Sequence, residues 1–163
     1  MTDSLATYDR LIALLDAHRA SYRLIDHPPE GRTELVSPMR GHPVRHAANC
    51  IVVMAKVGKK TTKYLLVVVP GDARVDLAAV KSLVRGTYVS FASPEIAEEL
   101  AGSPMGTVLP FTFDDRLELI VDPAVLEPPE MFFNAARLDR SLALSTADYA
   151  RIANPRLERV AAS

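Results

Sequence analysis

The segment spanning residues 50–70, CIVVMAKVGKKTTKYLLVVVP, constrains this chain more than any other. Two apolar runs, CIVVMAK and KYLLVVVP, flank the polar VGKKTT. Their apolar side chains occupy successive positions, so strands built from them present apolar surface on both faces. The spacing predicts a hairpin in the middle of a sheet that is covered on two sides. Burial of that kind needs a sizeable core, which a chain of 163 residues can supply within one domain.

The remaining segments read as partners for that hairpin. Leu5, Tyr8, Leu11, Ile12 and Leu15 form one stripe of a helix over residues 4–19, with Thr2, Asp3 or Ser4 as its cap. YRLID is a short strand stopped by His27-Pro28-Pro29, and Thr33 is a candidate N-cap for a helix running to about Met39. Asp76 caps a helix that turns Leu77, Val80, Leu83 and Val84 inward and is closed by Gly86. TYVSFA is a strand, and SPEIAEELAG is a helix with Ser93 as cap and Pro94 in its first turn. LELIVD is a strand, EMFFN and RSLALS form a strand pair, and Ser145 with Asp148 makes a capping box for a helix over residues 146–153. About seven strands and five helices follow, without a regular βαβ rhythm. That pattern predicts an α+β fold with a mixed, strongly curved sheet. Residues 1–153 would form a single domain and residues 154–163 a loose C-terminal tail.

Charge is segregated although the formal net charge is −1. Residues 35–71 hold no Asp or Glu but carry Arg40, Arg45, Lys56, Lys59, Lys60 and Lys63, with His42 and His46. Residues 86–136 carry nine carboxylates against the single cation Arg116. Four lysines in the eight residues KVGKKTTK guard an exposed sheet edge or contact a nucleic-acid backbone. The acid-free window favours the second reading. The N-terminal MTDSLATYDR lacks the basic and apolar regions of a signal peptide, and no apolar run reaches the ~18 residues of a membrane span. A cytoplasmic protein with no membrane partner is the simplest expectation. One cysteine excludes an internal disulfide framework and a Cys-rich zinc site.

Few side chains suggest acid–base or nucleophilic chemistry. Cys50 sits at the mouth of a buried strand, where an inert thiol is common. His42 and His46 have a metal-compatible spacing, but Pro43 lies between them and no third ligand is near. His27 is a loop histidine. Ser145 and Asp148 are explained by the capping box. The stretch GSPMGTVLPF is more informative. Gly102 and Gly106 bracket a turn and Pro110 follows, and a glycine lets backbone N–H groups approach a ligand oxygen closely.

Taken in order, HPPEGRTELVS, AANCIVV, LLVVVPGDARVDLAAVK, FASPEIAEELAG, GTVLPF and FFNAARLDRSLALS resemble the YbaK / prolyl-tRNA synthetase-associated editing domain family. The resemblance implies a mixed, barrel-like β core wrapped by helices. It implies hydrolysis of the ester between a wrong amino acid and the tRNA 3′ end, in trans, without metal or cofactor. Small side chains differ too little in binding energy for one synthetase pocket to separate them, so such editing is needed. The partner implied is a mischarged tRNA, with a synthetase or elongation factor in transient contact. By the resemblance, the loop of residues 106–110 holds the ester through backbone groups, which makes Gly106 a catalytic position and Pro110 a substrate-side one. Thr33, Glu34 and Asn134 match pocket walls, and Ala136 stands where glycine is frequent. The substrate's own ribose hydroxyl would replace a side-chain base.

The departure is Asn49, where the family usually has a lysine that serves 3′-end recognition and activity. An amide carries no charge. Lys56 is a poor replacement, since seven residues of strand put it roughly 23 Å away on the opposite face. Arg45 and Arg40 are the nearer candidates. Arg40, Arg45, Lys56, Lys59, Lys60 and Lys63 together are the expected tRNA contacts. The alternative is a non-catalytic tRNA or aminoacyl-tRNA binder that has lost hydrolysis through Asn49.

Overall fold

The central hairpin forms as its sequence demands. Ala48–Val57 and Thr61–Pro70 pair antiparallel along their whole length, with Ala48 opposite Pro70 and Val57 opposite Thr61. Leu65, Val67 and Val69 enter one core with Val53, Val75, Val80 and Ile120. Leu66 and Val68 enter the other, with Leu11, Leu15, Val52, Phe111, Phe133 and Tyr149. Consecutive apolar residues are thus shared between two cores, which is why the run shows no alternation.

The structure is a computed structural model and describes residues 4–162. The helices are α1 (Ser4–Ala17), α2 (Thr33–Arg40), α3 (Leu77–Val84), α4 (Pro94–Ala101) and α5 (Thr146–Ala153). The strands are β1 (Tyr22–Asp26), β2 (Ala48–Val57), β3 (Thr61–Pro70), β4 (Arg74–Val75), β5 (Tyr88–Phe91), β6 (Leu117–Val121), β7 (Glu130–Asn134), β8 (Arg140–Ser145), β9 (Arg156–Leu157) and β10 (Ala161–Ala162). This is a mixed α+β fold. The strands lie in three sheets, β5-β2-β3-β6-β9, β1-β8-β7 and β10-β4, and not in one closed barrel. A single parallel bridge, Ala47 to Phe132, joins the first two sheets among the described residues. It brings the start of β2 beside β7, and the cavity discussed below opens there.

Several local expectations hold. Asp76, Ser93 and Ser145 accept hydrogen bonds from the backbone N–H of Ala79, Ile96 and Asp148. Others are displaced. Thr2 and Asp3, expected as caps of α1, lie outside the described residues. Arg32, not Thr33, is the N-cap of α2, and it makes no side-chain cap bond. Thr33 instead packs against Gly71, where an added Cβ would lie 2.9 Å from the Thr33 methyl. The left-handed residue closing α3 is Arg85, with φ 54°, not Gly86. A Cβ on Gly86 would stand 3.2 Å from the Lys56 carbonyl oxygen, so that glycine serves the approach of α3 to β2.

The C-terminal segment is not loose. β9 pairs parallel with β6, β10 pairs antiparallel with β4, and Val160 is buried. The carboxylate of Asp122, itself buried, accepts from the N–H groups of Ala124, Val160 and Ala161 at 2.9–3.0 Å. Asp122→Ala is expected to cost about 2–3 kcal/mol, because buried donors lose a charged acceptor. A urea melt measures that loss, and carboxypeptidase should then trim the end faster than in the unaltered protein.

Candidate active site

Four segments meet around a cavity of about 330 Å³. The start of β2 contributes Asn49 and Cys50, the segment entering α2 contributes Gly31 and Arg32, and α2 itself contributes Thr33, Glu34 and Arg40. The loop after α4 contributes Met105, Gly106 and Val108, and β7 contributes Phe133 and Asn134. An apolar recess of about 290 Å³ shares Cys50, Ile51, Met105 and Val108 with this cavity and adds Phe91 and Ala97.

Backbone contact shapes the cavity rim. Gly106 has φ +86°, and a Cβ there would lie 2.9 Å from the Gly31 Cα. The two glycines let the loops touch main chain to main chain. The Gly106 loop is held from within, since the Ser103 hydroxyl donates to the Thr107 carbonyl and the Thr107 hydroxyl donates to the Pro104 carbonyl. The Gly106 N–H has no hydrogen-bond partner among the described residues. Across the contact, Asn134 Nδ2 donates to the Glu30 carbonyl at 2.8 Å and to the Gly106 carbonyl at 3.0 Å. One buried amide therefore ties both loops to β7.

Behind Asn134 lies a polar network. Arg40 Nη1 donates to Ser141 Oγ at 3.1 Å and more weakly to Asn134 Oδ1 at 3.4 Å, and Ser141 Oγ donates to the same Oδ1 at 2.7 Å. His27 Nε2 sits 2.7 Å from Ser141 Oγ. Arg40 Nε donates to His42 Nε2, while His42 Nδ1 bonds the Pro43 carbonyl, which fixes one neutral tautomer. The His42 ring stacks on Phe132 at 3.8 Å, and burial pulls its pKa down to about 4. Burial also lowers the Arg40 pKa to about 10, which leaves it charged at neutral pH.

The expected site residues separate into two groups. Asn49, Thr33, Glu34, Gly106, Asn134 and Arg40 all line the cavity. Pro110 does not; it is buried and its carbonyl accepts the Tyr149 hydroxyl at 2.7 Å. The chain turns inward after Val108, so Pro110 shapes the core and not the cavity. Arg40, expected on a tRNA-facing surface, is 8 % exposed. Arg45 is exposed but lines a different hollow with Pro70 and Glu127. Lys56, Lys59, Lys60 and Lys63 are exposed at the far end of the hairpin. From Asn49 to Val57 alone is ~26 Å of strand. Cys50 is a wall residue whose thiol is pushed up by burial, away from a reactive thiolate. Ala136 has a left-handed backbone, with φ 60°. His27, read from the sequence as a loop histidine, reaches the network behind the cavity through Ser141, while Gly31 and Ser141 are site-forming residues that the sequence does not mark. A glycine after Pro-Pro-Glu and a strand serine carry no local signal of the long-range contacts they make. Among the described residues no three His, Cys, Asp or Glu side chains group to hold a metal.

The model of the aminoacyl-tRNA editing domain matches residues 27–152, a span that contains every wall of the cavity. The chain belongs to this family. It is 38% identical over 158 residues to the multifunctional Ser/Thr-tRNA deacylase ProXp-y of Escherichia coli K12, covering 96% of this chain and 94% of that protein. It is 26% identical over 111 residues to a proline–tRNA ligase of Geobacillus kaustophilus, of which the match covers 20%. The crystal structure of a candidate trans-editing enzyme for prolyl tRNA synthetase superposes with a TM-score of 0.77 at 20% identity, covering 96% of this chain and 98% of that one. That likeness establishes the editing-domain fold. No helix among the described residues is long and apolar enough to cross a membrane.

Proposed function

We propose that this editing domain hydrolyses the ester joining a wrongly attached amino acid to the 3′ end of a tRNA, and that it acts in trans. The observation that carries the reading is one cavity lined by Gly106, Asn49, Thr33, Glu34 and Asn134 in a chain 38% identical to a Ser/Thr-tRNA deacylase over nearly its full length. Water adds to the ester carbon and the carbonyl electron pair moves onto oxygen. Collapse expels the ribose oxygen, which takes up the proton the water releases. The free Gly106 N–H is suited to the ester oxygen or the attacking water. Glu34 is the one carboxylate among the described lining residues and suits the substrate's α-ammonium group. Asn49 contributes an uncharged amide with no hydrogen bond of its own among the described residues. Among the described residues lining the cavity Glu34 is the one carboxylate and none is a histidine, and that scarcity of side-chain bases supports assistance by the ribose hydroxyl of the substrate. The exposed hairpin lysines are distant from the cavity and suit the RNA backbone away from the ester.

A panel of mischarged tRNAs tests this reading, beginning with seryl and threonyl esters and then mischarged proline tRNAs. At least one ester is expected to be cleaved well above its spontaneous rate, in the absence of added metal. Replacing Lys59 and Lys60 by glutamine should weaken tRNA binding and flatten its salt dependence by about two charges. A panel that stays intact removes the enzyme reading. Asn49 favours a second one, a binder of aminoacyl-tRNA without hydrolysis. Under that reading tRNA binds without turnover and Asn49→Lys confers hydrolysis.

A further inference from the structure

The cavity holds a buried cation that makes no ion pair among the described residues. Arg40 is 8 % exposed and lines the cavity. Its partners, His42 Nε2, Asn134 Oδ1 and Ser141 Oγ, are all neutral. Among the described residues no carboxylate forms an ion pair with it. Nε and Nη1 are occupied, while Nη2 has no hydrogen-bond partner there. Arg32, the other lining cation, differs in kind. It is largely exposed, and Glu30 takes its Nε and Nη2 as a two-point fork at 3.0 and 3.1 Å. Its charge is already answered.

A buried guanidinium with neutral partners is costly to keep unless an anion completes it. The network holds the guanidinium rigidly through Nε and Nη1 and leaves Nη2 available, an arrangement that pre-organises a donor for an incoming oxygen. An acylated RNA end offers two such oxygens. One is the ester oxygen, which becomes negative as water adds and the carbonyl electrons move onto it. The other is the phosphate on the 5′ side of the terminal nucleoside. Resting on the deacylase reading above, we propose that Arg40 is the residue that meets an anionic oxygen of the acylated 3′ end. The positive charge of the site then comes from α2, and Asn49 on β2 need not supply it.

Three non-hydrolysable probes test this without requiring turnover. They are a 3′-(serylamino)-3′-deoxyadenosine, its 5′-monophosphate, and the same nucleoside with a phosphonate in place of the carbonyl. The wild-type protein is expected to bind at least one anionic probe tenfold or more tighter than the parent nucleoside, which carries the same α-ammonium but neither phosphate nor phosphonate. Arg40→Gln should remove that preference while leaving affinity for the parent nucleoside within about threefold. Loss confined to the monophosphate assigns the backbone phosphate, and loss confined to the phosphonate assigns the ester oxygen. Arg40→Lys, which keeps the charge but not the fork, should keep the preference. Equal loss for all three probes in Arg40→Gln would mean a purely structural role and overturn the proposal. So would a wild-type protein with no anionic preference, a result available even if Arg40→Gln does not fold. Deacylation by the wild-type protein is scored separately, so an intact mischarged-tRNA panel rejects the enzyme reading and not the role of Arg40.

Discussion

Replacing Gly106 by valine is expected to lower deacylation at least about 100-fold, the loss that misplacing a site by an ångström can cause, and to destabilise the fold. Two effects add. Position 106 has φ +86°, where a β-branched residue is strained by at least about 1–2 kcal/mol. The new Cβ would also stand 2.9 Å from the Gly31 Cα and 3.2 Å from its carbonyl oxygen. Those atoms are main chain and cannot rotate away. Relief requires the two loops to part, which moves the Gly106 N–H from its place at the cavity rim. Gly31→Ala is the control. Its Cβ would meet Gly106 Cα at 3.2 Å and the Leu138 side chain at 3.1 Å, and no left-handed backbone is involved. It should cost activity less than Gly106→Val does. Single-turnover rates and urea melts of both variants decide the matter. A Gly106→Val protein with near-wild-type rate would show that this contact does not shape the site.

Asn134→Ala is expected to produce the largest loss of stability, about 3–4 kcal/mol, because buried polar partners are left unpaired. Its amide donates to two loop carbonyls and accepts from Ser141 and Arg40. Alanine leaves both carbonyls without that donor and Arg40 with one fewer acceptor. For a domain of this size such a loss lowers Tm by roughly 6–16 °C. Asn134→Asp separates the two halves of the role. A carboxylate keeps the acceptor for Arg40 and Ser141 but turns an oxygen toward the Glu30 and Gly106 carbonyls. That variant should melt higher than Asn134→Ala yet be no more active, because the loops are repelled. A fully active Asn134→Asp would mean that loop tethering does not matter to the reaction.

Sequence patterning located most of the elements because those signals are local. The apolar runs of β2 and β3, the capping side chains of Asp76, Ser93 and Ser145, and Gly102 at the end of α4 all act within a few residues. The register is set by the turn, which no apolar run marks: the loop is residues 58–60, with Gly58 at φ +66°, so Asn49 faces Val69 and Lys56 faces Thr62. Thr33, Gly86 and the C-terminal segment depart from local expectation for a common reason. Each is governed by a partner far along the chain: Gly71, the Lys56 carbonyl and Asp122. The cavity was half legible. Gly106, Asn49, Thr33, Glu34 and Asn134 were recognisable from motif order, while the core position of Pro110 and the burial of Arg40 were not.

The sequence by itself determined the double-faced hairpin, the α+β class and the family, because apolar period, caps and motif order are written into neighbouring residues. It also determined that Asn49 brings no charge to the cavity. The tertiary structure alone decided which of Arg40 and Arg45 does. Arg40 and Arg45 are both close to Asn49 in sequence, and composition ranks neither. Folding turns Arg40 inward onto Asn134 and Ser141, residues about a hundred positions away, and leaves Arg45 in solvent. A buried charge is defined by what surrounds it, and no short stretch of sequence contains those surroundings.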